Sequence, residues 1–193
     1  MNLSENQKYN QIITTSKKLF WKYGIKRVTI EEICREAGVS KMTFYKHLNN
    51  KNDLVKQIIE HTLDKAMVKY RKIMEQDIPF IEKARQSIAL KMEQTEEMSN
   101  EFFEDYFLHA DPELSDFLNQ KVAESIGIIM KDYIQAQKKG EIRADIHPEF
   151  ILYFLNHMSV MAKDEQLLAL YNSPGDLIRE LINFFFYGII ERK

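Results

Sequence analysis

TIEEICREAGVSKMTFYKHLNNK, residues 29–51, packs two short helices and a tight turn into a length that admits little else. Thr29 followed three residues later by Glu32 is a capping box, in which the threonine hydroxyl accepts an orphan backbone N–H and the glutamate reaches back. A helix therefore starts there, with Ile30, Ile33 and Ala37 on one face. Gly38 ends it, supplying the backbone freedom that a sharp turn needs. Val39 plugs the angle between the two helices, and Ser40 is a second N-cap, opening a helix that runs to about Leu48. Phe44 and Leu48, four apart, face inward. Ser40, Lys41, Met42, Thr43, Tyr45, Lys46 and His47 stay outside as a rim of hydroxyls and positive charge. The pattern is a helix-turn-helix, whose second helix turns its N-terminal end toward the major groove of duplex DNA.

The same stretch, extended to Leu54, resembles the DNA-binding signature of TetR-type (tetracycline-repressor-like) transcriptional regulators, T-x-x-x-I-x-x-x-A-G-V-S-x-x-T-x-Y-x-[HY]-F-x-x-K-x-x-L. Leu19, Phe20, Tyr23 and Gly24 stand where that family ends its first helix. Met42 occupies a position where the family often carries a small residue, and Leu48 replaces a frequent phenylalanine. The resemblance implies an all-α chain: a three-helix head with the helix-turn-helix, then a C-terminal helical regulatory and dimerisation domain. It assigns Thr29, Tyr45, His47 and Lys51 mainly to phosphate and Ser40, Lys41, Met42, Thr43 and Lys46 to base edges. Those roles suit the chemistry, since lysine donates to guanine O6 and N7 and the threonine methyl meets that of thymine.

Charge divides along the same boundary. Residues 1–51 hold ten Lys and Arg against four Glu, and the remainder seventeen against twenty-five, within a net charge of −2. A basic head on an acidic body suits a polyanionic partner for the head alone. Cys34 is the only cysteine, so no internal disulfide forms and the chain fits a reducing cytoplasm. No signal peptide is visible, and no apolar run approaches the ~20 residues of a membrane span.

Outside the central stretch the periodicity is helical throughout, with four prolines and six glycines as punctuation. Residues 1–7 read as a frayed start, followed by a helix from Lys8 to Tyr23. Asn50 and Asp53 cap a long helix running to about Gln76, with Leu54, Ile58, His61, Leu63, Ala66, Met67, Tyr70 and Met74 on its apolar side. Ile78-Pro79 breaks the chain before a helix from Phe80 to about Met98, and Asp111-Pro112 resets it before another from Leu114 to Lys139. The helices Pro148 to about Ala162 and Asp176 to about Glu191 are apolar almost all round. Such helices do not stand alone on a monomer surface. Two of them are what a symmetric interface between two copies requires, so a homodimer through these last two long helices is expected.

These features divide the chain at 50/51 into a DNA-binding head, residues 1–50, and an effector-binding and dimerisation domain, residues 51–193. The expected partners are a double-stranded operator, a second copy, and a small molecule that is apolar or aromatic. Phe103, Tyr106, Phe107, Met130, Tyr133, His157 and Met161 are the candidate walls of its pocket, each also a good core residue. An alternative makes the C-terminal domain a docking surface for another protein. Catalysis is not expected. The five histidines show no metal-binding spacing, no glycine-rich phosphate loop occurs, and His109 near Asp111 is the nearest approach to a catalytic pair. Neither a metal nor a cofactor is implied.

Overall fold

The computed structural model describes residues 3–96 and 98–189, and every regular element among them is helical. In chain order these are α1 (Leu3–Tyr23), α2 (Ile30–Glu36), α3 (Lys41–His47), α4 (Lys51–Met74) and α5 (Phe80–Glu96). There follow α6 (Asn100–Phe103), which runs on as a wide π-helical turn over Glu104–Leu108, then α7 (Pro112–Lys138), α8 (Pro148–Met161), α9 (Glu165–Leu168) and α10 (Pro174–Ile189). The chain forms two compact units, Met1–Lys65 with Glu97–Phe117, and Ala66–Glu96 with Leu118–Lys193. The change of unit falls inside α4, downstream of the 50/51 division read from charge and motif.

In the first unit α1 begins at Leu3, earlier than the Lys8 start expected, because nothing in LSENQ breaks a helix. Ile12, Ile13, Phe20 and Trp21 of α1 are buried with Val28, Ile33, Phe44 and Leu48, and α4 adds Leu54, Val55, Ile58 and Ile59. Each such side chain contributes roughly 1.5–3 kcal/mol on leaving water. This burial matters most for α2 and α3, seven residues each and too short to persist as isolated helices. Asn50 caps α4 by accepting the Asp53 N–H at 2.8 Å, and the Asp53 carboxylate takes the Asn49 N–H at 2.9 Å. His61, expected on the apolar side of α4, is exposed. The buried stripe of the first half runs through Leu54, Ile58 and their neighbours Val55 and Ile59.

Segment 98–117 completes this unit. Ser99 donates its N–H to the Trp21 carbonyl at 2.9 Å, and its hydroxyl caps α6 by accepting the Phe102 N–H. Phe102 and Phe103 are buried, Phe102 between Trp21 and Tyr106 at ring distances of 4.1 and 5.1 Å. Asp111 caps α7 through the Leu114 N–H at 3.0 Å, leaving Pro112 at the first helical position, where its missing N–H costs nothing.

The second unit is built on Phe80, Ala84, Met130, Tyr133, Ala136, Ile142, Ile151, Phe185 and Ile189. Tyr133 sits edge-on to Phe80 at 5.3 Å, and Phe154 stacks on Phe185 at 5.6 Å. Tyr70 donates to Asp132 at 3.0 Å, and Glu141 accepts the Phe80 N–H at 2.9 Å to open α5. Of the expected α5 stripe, Ala84 is buried and Ile81 half-buried, while the side chains of Ile88 and Met92 lie outside the described residues.

Candidate nucleic-acid interface

The reading helix is fixed from beneath and left bare on top. Thr29 Oγ1 accepts the Glu32 N–H at 3.1 Å, one half of the expected capping box. The Glu32 carboxylate instead lies 4.0 Å from Arg27. After α2 the chain turns at Gly38, φ +64°, a left-handed conformation that a side chain would strain. The Val39 N–H returns to the Cys34 carbonyl at 2.9 Å. Ser40 then caps α3, its Oγ 3.1 Å from the Thr43 N–H and 3.0 Å from Thr43 Oγ1. Phe44 and Leu48 are fully buried, so α3 cannot roll about its own axis.

The opposite face carries the rim. Met42 is 82% exposed and Tyr45 54%, with Ser40, Lys41 and Lys46 exposed and Thr43 and His47 half-buried. Lys41 is paired with Glu31 on α2, an exposed contact that holds the Glu31 carboxyl below its usual range and the Lys41 ammonium above its own. A base or phosphate that takes Lys41 must therefore displace Glu31. Cys34 is buried, and that burial pushes its thiol up from the usual cysteine value, away from the reactive thiolate.

Lys51 stands differently from the rim. Its Nζ donates to the carbonyls of Val28 at 2.9 Å and Lys26 at 3.2 Å, bracing the turn that leads into α2. Burial pulls its ammonium down from the usual lysine value, and Asp105 opposes that shift.

Lys8, Tyr9 and Gln57 were not legible as part of this surface. Lys8, from α1, shares a hollow of about 520 Å³ with Met42, Thr43, Tyr45, Lys46 and His47. The Tyr9 hydroxyl donates to Gln57 at 2.9 Å, and its ring lies 5.7 Å from that of His47, tying α1, the end of α3 and α4 together. No local sequence signal marks these contacts, which depend on how α1 crosses the pair. Lys17 and Arg27 lie over the Trp21 and Tyr23 rings at 5.0 and 4.4 Å, so part of the basic charge is packed on aromatic faces.

The pocket candidates scatter. Phe103 and Tyr106 belong to the first unit, whereas Met130, Tyr133, His157 and Met161 belong to the second. Met130 and Tyr133 are core residues, and the side chain of Phe107 lies outside the described residues. His157 is exposed on the outer face of α8, stacked on Tyr153 at 3.9 Å with Nδ1 2.9 Å from the Tyr153 carbonyl.

That outer face is apolar. Phe150, Tyr153, His157 and Val160, at i, i+3, i+7 and i+10, form one exposed stripe of α8. On α10 the buried stripe through Leu177, Leu181, Phe185 and Ile189 leaves Phe184, 73% exposed, and Tyr187, 63% exposed, outside it. These two line an open groove of about 690 Å³ with Tyr171, Asp176, Arg179, Glu180, Asn183 and Gly188. Among the described residues no cluster of His, Cys, Asp or Glu is placed to hold a metal ion, and no helix is long and apolar enough to cross a membrane.

A capped helix pair crossing a third helix, with an exposed rim of lysines and hydroxyls on the second of the pair, is a helix-turn-helix. Residues 12–58 match the family model described as bacterial regulatory proteins, tetR family. The HTH-type transcriptional regulator YerO of Bacillus subtilis is 40% identical over 70 residues, which is 36% of this chain and 24% of that protein. The chain thus spans about a quarter of the length of the curated relatives it first matches. Among solved structures, the transcriptional regulator FadR from Bacillus subtilis in complex with stearoyl-CoA superposes with a TM-score of 0.71 at 15% identity, covering 94% of this chain and 99% of that one. A transcriptional regulator from Saccharomonospora viridis in complex with choline gives 0.68 at 18% identity, over 98% and 100%. At such identities the likeness is one of fold.

Proposed function

We propose that the protein is a sequence-specific DNA-binding transcriptional regulator that binds a pseudo-palindromic operator as a homodimer. The observation that carries this is the α3 rim, with Met42 82% exposed on a helix whose other face is locked by Phe44 and Leu48. A large apolar side chain held bare among lysines and hydroxyls has no use in the fold, and it suits thymine methyls in a major groove. Lys41, Thr43 and Lys46 then read base edges, while Thr29, Tyr45, His47 and Lys51 position the head on phosphate, with Lys8 beside them. One head reads few bases, so the exposed stripes of α8 and α10 pair two chains and set two heads about one helical turn apart, ~34–36 Å. Repression is the family's usual sense, and a cytoplasmic protein fits the single cysteine.

A small molecule bound in the C-terminal domain completes the reading by favouring a form with the wrong head spacing. It acts only through unequal affinity for the two forms. The stearoyl-CoA of one solved relative and the choline of another support two classes to try first, acyl thioesters and quaternary ammonium compounds.

Selection of sites from random duplex tests the proposal. Inverted half-sites one turn apart, with affinity falling steeply between low and physiological salt, are expected. Failure to enrich any sequence overturns it. Operator binding followed against both compound classes tests release separately, and no change with either removes the inducible part.

A further inference from the structure

The turn between Gly24 and Val28 is where α1 hands the chain to the reading helices, and it is held from two sides. Lys51 fixes its carbonyls, as described above. Its amide is fixed by Asp105, which comes from the π-helical turn after α6 and lies far along the chain. Asp105 Oδ2 accepts the Lys26 N–H at 2.7 Å, and Oδ1 lies 3.7 Å from Lys26 Nζ. The carboxylate is mostly enclosed, with its side chain 13% exposed. Gly24 makes this approach possible, because a Cβ there would sit 2.8 Å from Asp105 Oδ2 and 3.1 Å from Glu101 Cβ.

Docking of segment 98–117 on α1 does not depend on this carboxylate. Trp21 against Phe102 and the bond from Ser99 N–H to the Trp21 carbonyl supply apolar and backbone ground of their own. What Asp105 adds is direction. A carboxylate accepting a backbone N–H fixes the orientation of one peptide plane, here two residues before Val28, which is fully buried, and three before the N-cap of α2.

We propose that Asp105 is a positioning residue for DNA reading, setting the angle at which α2 and α3 leave α1 and so the attitude of the rim in the groove. The inference rests on the DNA-binding reading above. It opposes what simple electrostatics predicts. Asp105 is a negative charge beside Lys26 and Lys51 in a basic head, so its removal on charge grounds alone strengthens binding to any duplex. Removal of a positioning bond weakens the preferred duplex and spares the others.

The test uses the full chain, the best duplex from random selection, and a scrambled duplex of equal length. Asp105→Ala is expected to lower the ratio of preferred to scrambled affinity about tenfold, the scale of one ordinary hydrogen bond, while scrambled-duplex affinity holds or rises. Asp105→Asn, which keeps an acceptor for the Lys26 N–H, recovers part of the ratio. Glu104→Gln, an exposed neighbour with the same charge change, leaves it unaltered. An unchanged ratio in Asp105→Ala overturns the proposal, as does an equal loss on both duplexes, which reports an unfolded head. A wild-type protein that prefers no duplex defeats the DNA-reading assignment itself, a result distinct from either.

Discussion

The indole of Trp21 lies against the ring of Phe102 at 4.1 Å, tilted 32°, with both side chains buried. Helix α1 of the head and α6, which follows almost eighty residues later (from residue 23 to residue 100), thus share one hydrophobic contact. Trp21 is the only tryptophan in the chain, so its emission reports that contact directly. Phe102→Ala is expected to shift Trp21 emission to the red and to cost about 3–5 kcal/mol in denaturant unfolding, the usual range for emptying a buried phenylalanine site. Unshifted emission with unchanged stability would deny that α6 is packed there.

The reading helix depends on its cap. Ser40 Oγ satisfies the Thr43 N–H, and α3 has only seven residues over which to spread the loss of a terminal bond. Ser40→Ala should cost about 1 kcal/mol, with Ser40→Gly a few tenths, because glycine lets water reach the orphan amide. Thermal melts of the two variants give the order. If alanine is tolerated as well as glycine, the cap does not hold this helix.

How much of this was legible in advance follows from the range of each interaction. Thr29, Gly38, Ser40 and Asn50 speak for themselves, since a cap or a left-handed turn acts on residues one to four positions away. The inward pair Phe44 and Leu48 likewise follows from helical period. Lys51 as a brace, Lys8 beside the rim and Asp105 on the Lys26 amide are fixed by partners from 23 to 79 residues distant, and periodicity carries no information about them. His61 shows the opposite error: it falls at an apolar spacing, yet imidazole is content in water and the side chain is exposed. The aromatic run at 102–107 favours core over pocket wall without excluding the wall. Only its partner Trp21 decides for core at Phe102.

Gly24 carries a further expectation. Its φ of +82° is strained for any L side chain, and the space where a Cβ would stand is taken by Asp105 and Glu101. Gly24→Ala should destabilise the protein by more than about 1 kcal/mol, the conformational part alone being about 1–2. A chemical denaturation curve matching wild type would show that the turn relaxes and that Asp105 can step aside.

Alkali should unfold this protein through its tyrosines. Burial raises the phenol of Tyr70, with Asp132 adding to it, and burial likewise raises Tyr106 and Tyr133 above the ordinary value. The folded chain therefore keeps phenolic protons that the unfolded chain gives up near pH 10. Their contribution is fully present below that pH and is lost as pH rises beyond it, by up to about 1.4 kcal/mol per unit for each phenol. Stability measured from pH 8 to 11 should hold and then fall. Tyr70→Phe should lose about 1 kcal/mol at neutral pH with the Asp132 bond, and its alkaline fall should be shallower. Equal slopes in the two proteins would place the sensitivity elsewhere.

Phe184 and Tyr187 let folding and assembly be tested apart, because both are exposed on α10 outside its buried stripe. A charge at Phe184, exposed in the single chain, removes no core contact, and a surface change of this kind normally moves stability by no more than about 0.5 kcal/mol. Across a twofold interface the same substitution puts two carboxylates into an apolar patch that needs roughly 1,200–2,000 Å² of good contact to persist. Phe184→Glu should therefore convert a wild-type dimer to monomer in light scattering while its melting temperature, extrapolated to low concentration, stays put. Operator binding should then lose its dependence on the second half-site, since two heads no longer share one body. A variant that remains dimeric, or a wild-type chain that is monomeric at micromolar concentration, would move the interface off α10 and leave the apolar stripes of α8 and α10 to another partner.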